Sequence, residues 1–115
     1  MAYKIKIAVI GAGYWGLNLI RNFNKIGVLK SVADLVSSRQ ADVEKISRDI
    51  IFTTNYKEIL EDNSIFAVVI STPAKTHYKV ARDALIANKH IFVEKPLCLD
   101  VKSGKKILKL SEKLN

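Results

Sequence analysis

A single junction limits most strongly what this chain can fold into. Residues 9–23, VIGAGYWGLNLIRNF, pass from a short apolar run into a segment with Leu17, Ile20 and Phe23 at helical spacing. Three glycines, Gly11, Gly13 and Gly16, stand between the two. A strand that ends on glycine and re-enters at once as a helix is the first half of a βαβ unit. It commits its neighbours to a parallel sheet with helices on its faces.

The rest of the chain keeps that alternation. Residues 4–10 read as strand and 14–25 as helix, with Gly27 placed to stop it. A second strand lies within 28–36, a short polar helix over 39–48, a third strand at 50–52 and a one-turn helix at 56–60. Residues 66–71 are apolar up to Ser71, the pattern of a strand buried on both faces. Residues 76–88 carry Val80, Ala81, Ala84 and Leu85 on one helical side, and Asn88 stands where a left-handed cap is expected. A fifth strand, 90–94, reads as buried, with His90 packed or capped. Asp100 is placed to cap a last helix. On that helix Lys102, Lys105, Lys106, Lys109 and Lys113 share one face, and Val101, Leu108, Leu110 and Leu114 turn to the other.

The expected fold class is therefore α/β, one doubly wound parallel sheet of five strands over residues 1–115. Dinucleotide-binding sheets of this kind carry about six strands. A sixth strand is expected beyond the last helix, and the chain reads as a fragment of a longer protein.

Composition removes several classes of function. No apolar run reaches the roughly 18 residues of a membrane helix. The first residues run straight into a strand pattern, without a signal peptide. The lone Cys98 allows no internal disulfide, reads as a packing residue and fits a cytoplasmic location. A net charge of +8 raises the question of a nucleic-acid partner. Much of that excess lies on the solvated back of the last helix, and no run interleaves aromatic with basic residues. Neither nucleic acid nor membrane is an expected partner. His77 and His90 lack the companions of a metal site, so no metal is expected.

The glycines have a chemical use. Gly11 permits a tight turn, Gly13 keeps side chains off an approaching pyrophosphate, and Gly16 lets the helix pack close to the sheet. The helix N-terminus then offers N–H groups and a positive dipole end to phosphates. Asp34 follows about 20 residues later, at the end of the second strand, where a carboxylate can accept the ribose hydroxyls of an adenosine. It would repel a 2′-phosphate, which favours NAD. Ser37, Ser38 and Arg39 follow it and keep NADP open.

A second stretch, STPAKTHYKVARDALIANKHIFVEKPL over residues 71–97, closes two further strands at the same sheet edge. Ligands of open α/β sheets bind at that edge. A lysine there can stabilise a developing alkoxide. Together, G-x-G-x-x-G, T-P-x-x-x-H before a helix and E-K-P after the next strand resemble the Gfo/Idh/MocA family of oxidoreductases, over nearly the whole chain. The resemblance implies an N-terminal NAD(P)-binding Rossmann domain followed by a larger α/β domain that binds substrate. It implies hydride transfer between nicotinamide and a hydroxyl or carbonyl of a sugar, nucleotide sugar or cyclitol.

Residue by residue, the resemblance puts Gly11, Gly13 and Gly16 at the phosphates and Asp34 at the ribose. Ser71, Thr72 and Pro73 lie along the cofactor, and Glu94, Lys95 and Pro96 near the nicotinamide. Lys95 is the expected catalytic residue, and the Lys95–Pro96 bond is a candidate cis peptide. His77 suits a local hydrogen bond beside the cofactor loop better than acid–base work. Ala74 and Asn88 depart from the family's usual Asn and Gly. The family's acid/base, commonly a histidine, belongs to the part of the protein beyond this chain.

Tyr14 and Trp15 fill the two free positions of the glycine loop. Their roles are packing over the first helical turn or contact towards a substrate domain, and an exposed Trp15 is expected of the second. GYWG followed by Asn18 and RNF also resembles the branch acting on nucleotide-linked amino sugars. The whole protein is expected to be a homo-oligomer with a sugar-like substrate. Two other readings stay open: a non-catalytic NAD-binding or redox-sensing module, and a methyltransferase fold, in which Lys95 has no role.

Overall fold

The computed structural model describes residues 5–94 and 100–114. Expectations for Lys95, Pro96 and Cys98, and for the Lys95–Pro96 bond, lie outside the described residues. Along the chain run β1 (Lys6–Ile10), α1 (Tyr14–Ile26), β2 (Leu29–Ala33), α2 (Arg39–Ile46), β3 (Ile51–Thr53), α3 (Tyr56–Leu60) and β4 (Ile65–Ile70). A 3-10 turn (Ala74–Thr76), α4 (His77–Ile86), β5 (His90–Val93) and α5 (Val101–Leu114) follow. All strand pairs are parallel, and the order across the sheet is β3-β2-β1-β4-β5. This is the doubly wound α/β fold that the alternation predicts.

The pleat sorts each strand's side chains between two cores. Ala8 and Ile10 of β1, with Val68 and Ile70 of β4, face α3, α4 and α5. Val80, Ala81, Ala84 and Leu85 of α4 are all buried there. Ile7 and Val9 turn the other way, onto Ile20 of α1 and Val43 of α2. A central strand covered on both sides has apolar residues at every position, as β1 does from Ile7 to Ile10. Gly27 ends α1 at φ 91°, and its N–H bonds back to Phe23 and Asn24. Asn88 takes φ 63°, the left-handed cap expected of it. Asp100 Oδ1 accepts the Ser103 N–H at 2.7 Å, capping α5.

Two burial expectations are corrected. Phe66 is 49% exposed and Phe92 57% exposed, so neither β4 at its start nor β5 is buried on both faces. His90 is exposed and stacks on Phe66, ring centroids 4.4 Å apart. β5 is the edge strand of the described sheet, and the apolar residues covering this face of the sheet come from α1 and α2, which follow β1 and β2. An apolar run does not reveal which strand will lie at an edge.

In α5 the buried face is centred on Ile107, 2% exposed, with Leu110 half-buried. Val101 and Leu108 are 73% and 59% exposed, against expectation. Ser103 and Gly104 are half-buried on the Ile107 side of α5, the helix that packs on α4. Leu110 lies on the expected apolar side, but the burial is centred on Ile107 and leaves Val101 and Leu108 out. The lysines of α5 are exposed, as expected.

Candidate functional site

The carboxyl ends of the strands finish in one row. Ile10 is in register with Ala33 and with Ile70, and Ile70 with Val93. The residue after each strand continues the ladder. Asp34 N–H donates to Thr53 O at 3.1 Å, Gly11 N–H to Ala33 O at 2.7 Å, Ser71 N–H to Ile10 O at 2.8 Å and Glu94 N–H to Ile70 O at 2.9 Å. Asp34, Gly11, Ser71 and Glu94 therefore stand side by side along one sheet edge. Strand order reverses between β1 and β4, which is where an open α/β sheet leaves its ligand crevice.

Each glycine of the loop has a geometric reason. Gly11 sits at φ 110°, and a Cβ on it would lie 2.6 Å from the Ser71 carbonyl. A Cβ on Gly16 would lie 2.1 Å from Gly11 O, so only glycine lets α1 start this close to the turn. Gly13 is the N-cap of α1 and has no side chain to cap the first turn. The first-turn N–H groups of a helix have no intrahelical partner. At this edge they are the natural seat for a pyrophosphate, so the residues present fit a dinucleotide.

Asp34 is held at that seat. Its Oδ2 accepts the Ala12 N–H at 2.7 Å and its Oδ1 the Val36 N–H at 2.8 Å. The same carboxylate thus ties the end of β2 to the glycine loop. On the other side of Gly11, the Ser71–Thr72–Pro73 loop is braced from below. His77 is 1% exposed, and its Nε2 donates to Thr72 O at 2.8 Å, which fixes the tautomer with the proton on Nε2. The Thr76 hydroxyl bonds Pro73 O at 2.6 Å and the Thr72 hydroxyl at 2.7 Å. The sequence reading passed over Thr76. Its signal is a threonine three residues after proline, the spacing of a side-chain-closed turn.

Tyr14 and Trp15 are 85% and 54% exposed. Their rings lie nearly parallel, 12° apart in plane, with centroids 6.4 Å apart. Two exposed aromatics thus flank the first turn of α1. Among the expected site residues, Gly11, Gly13, Tyr14, Trp15, Gly16, Asp34, Ser71, Thr72, Pro73, His77 and Glu94 gather at or directly behind this edge. Lys95 and Pro96 lie outside the described residues. No group of three or more potential metal ligands occurs among the described residues. No described helix is long and apolar enough to cross a membrane.

Known proteins share this arrangement. The family model for Gfo/Idh/MocA, an oxidoreductase family with an NAD-binding Rossmann fold, matches residues 5–115. The scyllo-inositol 2-dehydrogenase (NAD(+)) of Bacillus subtilis is 35% identical over 115 residues, covering 91% of this chain and 32% of that protein. An α-N-acetylgalactosaminidase of Shewanella oneidensis is 32% identical over 123 aligned positions, covering 95% of this chain and 26% of that protein. The crystal structure of GenD2, from gentamicin A biosynthesis, in complex with NAD superposes with a TM-score of 0.88 at 25% identity. It covers 99% of this chain and 33% of that one. The chain spans about a third of the length of the curated relatives it matches. With its glycine loop, the aspartate that follows β2 beside it and a family match over almost its full length, the chain belongs to the Gfo/Idh/MocA family of NAD-binding Rossmann oxidoreductases.

Proposed function

We propose that this chain is the cofactor-binding part of a nicotinamide-dependent oxidoreductase that acts on a hydroxyl or carbonyl of a sugar, nucleotide sugar or cyclitol. The observation that carries this reading is the row Asp34–Gly11–Ser71–Glu94, with the N-terminus of α1 standing over it. The first turn of α1 would hold the pyrophosphate and Asp34 the adenosine ribose. Ser71, Thr72 and Pro73, braced by His77 and Thr76, would line the path towards the nicotinamide. When bound, nicotinamide exchanges hydride with the substrate carbon. The chain's own part is to hold, orient and supply charge.

Lys95 is assigned the charge at the reacting oxygen. Its ammonium would favour proton loss from an alcohol and stabilise the oxyanion. Tyr14 and Trp15 are assigned a contact towards the substrate-binding part, and their exposure supports that role over packing. A nucleotide-linked amino sugar is the finer substrate reading. The remaining substrate contacts and the acid/base lie in a second domain outside these 115 residues. The complete protein is read as a cytoplasmic homo-oligomer.

In the complete protein, Lys95→Ala should cut turnover by about 100-fold or more while leaving NAD affinity within a few-fold. Near-normal turnover would remove Lys95 from the chemistry. A second reading, glycoside cleavage, is motivated by the galactosaminidase relative, because a cofactor domain does not fix the net reaction. Net NADH formation from a free sugar or cyclitol supports the dehydrogenase reading. Release of a sugar from a glycoside without net NADH supports the other.

A further inference from the structure

One face of the sheet is only half covered. Among the described residues, α1 and α2 alone supply helix residues to the core on that face. Ala67 and Val69 of β4 belong to this core. His90 and Phe92 of β5 are in register with them, so their side chains stand on the same side, and both are exposed. Phe66 joins them through its stack on His90. The sides of α1 differ in the same way. Arg39 of α2 comes within 3.0 Å of where a Cβ on Gly13 would stand, so the flank with Gly13, Leu17 and Asn24 turns to α2. The opposite flank carries Trp15, Leu19, Asn22 and Ile26. From β1 the sheet runs on to β4 and β5 on that side. Trp15 is exposed there, and Ile26 is 69% exposed. An open apolar groove results, with α1 as one wall and β5 as the other. At its amino end it meets a hollow of about 500 Å³ lined in part by Ile5, Phe66 and His90. Contiguous exposed apolar surface of this kind marks an interaction site.

We propose that this groove is the seat of one α-helix supplied by the second domain. The inference rests on the reading above that such a domain lies outside these 115 residues. Parallel strands are normally covered on both faces. Two strands about 4.8 Å apart present a width of about 10 Å, which is the diameter of one helix. The relatives supply the occupant. This chain spans about a third of their length, which leaves about two thirds of each to provide the cover. The incoming helix turns apolar residues at i, i+3 or i+4 and i+7 towards Leu19, Ile26, Phe66 and Phe92. Trp15 closes the carboxyl end of the groove. A helix seated here therefore fixes the substrate domain against the edge read as the dinucleotide seat.

The test uses the complete protein. Ile26→Cys and Phe92→Cys, one on each wall, are labelled separately with a maleimide, native and in urea. Peptide mass spectrometry reads each site apart from Cys98, circular dichroism confirms folding, and NADH formation is assayed alongside. The two sites lie on different elements, so one misfolded variant leaves the other to decide. Each cysteine should label about 50-fold or more slower in the native protein than in urea, at every protein concentration. A photo-crosslinker on the Phe92→Cys thiol should reach residues three, four or seven positions apart in one segment outside residues 1–115 of the same molecule. Native labelling as fast as in urea, with NADH formation intact, would overturn the proposal and leave the dehydrogenase reading standing. Protection that fades on dilution, or cross-links between molecules, would overturn it in favour of a second copy. Cross-links without helical spacing would overturn the helix. A complete protein with neither a second domain nor NADH formation overturns that reading and this proposal with it.

Discussion

The two ends of the sheet handle polar groups in opposite ways. At the amino end, Lys89 is 6% exposed, and its ammonium donates to the Asp62 and Ile65 carbonyls at 2.7 and 2.8 Å. Beside it, Lys30 bonds the Asp62 carboxylate and the Ser64 hydroxyl, each at 2.6 Å. These groups complete one another. At the carboxyl end, a helix starts on a bare glycine, two aromatics stand exposed, and an arginine lies loosely across the loop. Polar groups closed on each other hold a fold together. Polar groups left facing a crevice await a ligand.

Breaking the contrast hardest means giving the glycine loop a side chain. Gly16→Ala sets a Cβ 2.1 Å from Gly11 O, against backbone that cannot swing aside. We expect a loss of about 3 kcal/mol or more in chemical denaturation, and no NAD binding in whatever stays folded. Lys89→Met should come next. It leaves two buried carbonyls without their donor, which costs about 2 kcal/mol. Because it lies at the amino end, NAD affinity measured calorimetrically should not move. A drop in affinity with unchanged stability would dissolve the distinction between the ends.

Much of the carboxyl end was legible in the sequence because its determinants are local. Glycine spacing, the acid at the end of the next strand and the T-P-x-x-x-H turn each depend on residues close in the chain. The amino end was not legible. Lys89 lies between α4 and β5, and nothing near it in sequence shows that the carbonyls of Asp62 and Ile65 will stand over it. The exposure of Phe66, Phe92 and Leu108 was missed for the same reason. Burial on a strand or helix depends on which neighbour covers it, and that is set by topology. Arg39 follows Asp34 closely in sequence, but its reach to both Asp34 and Gly13 is set by how α2 sits against the glycine loop.

Asp34→Ala sharpens the carboxyl end. NAD affinity should fall about tenfold and the preference between NAD and NADP should shift towards NADP, as read by competition binding. Unchanged affinity and preference would remove Asp34 from the ribose.

The smallest effect is acid sensitivity at the amino end. The Asp62 carboxyl is held down from 3.8 to about 2, chiefly by the hydrogen bond from Lys30 and then by Ser64. A carboxyl with a depressed folded pKa contributes stability above its unfolded value and loses it as pH falls through the folded value. The contribution should therefore fade between about pH 4 and pH 2. With both side chains 30% exposed, it should stay below about 1 kcal/mol. Lys30→Met should flatten that limb of the denaturation midpoint against pH, whereas an unaltered limb would assign the acid loss elsewhere.

The central claim is that the carboxyl edge, and not the amino edge, takes a dinucleotide. An amide chemical-shift titration of the isotope-labelled chain with NAD tests it most directly. The account predicts saturable shifts at Gly11, Ala12, Gly13, Tyr14, Trp15, Gly16, Asp34, Ser71 and Thr72, with Ser64, Asn88 and Lys89 still. Shifts centred on Ser64, Asn88 and Lys89, or none at the glycine loop at saturating NAD, would contradict it.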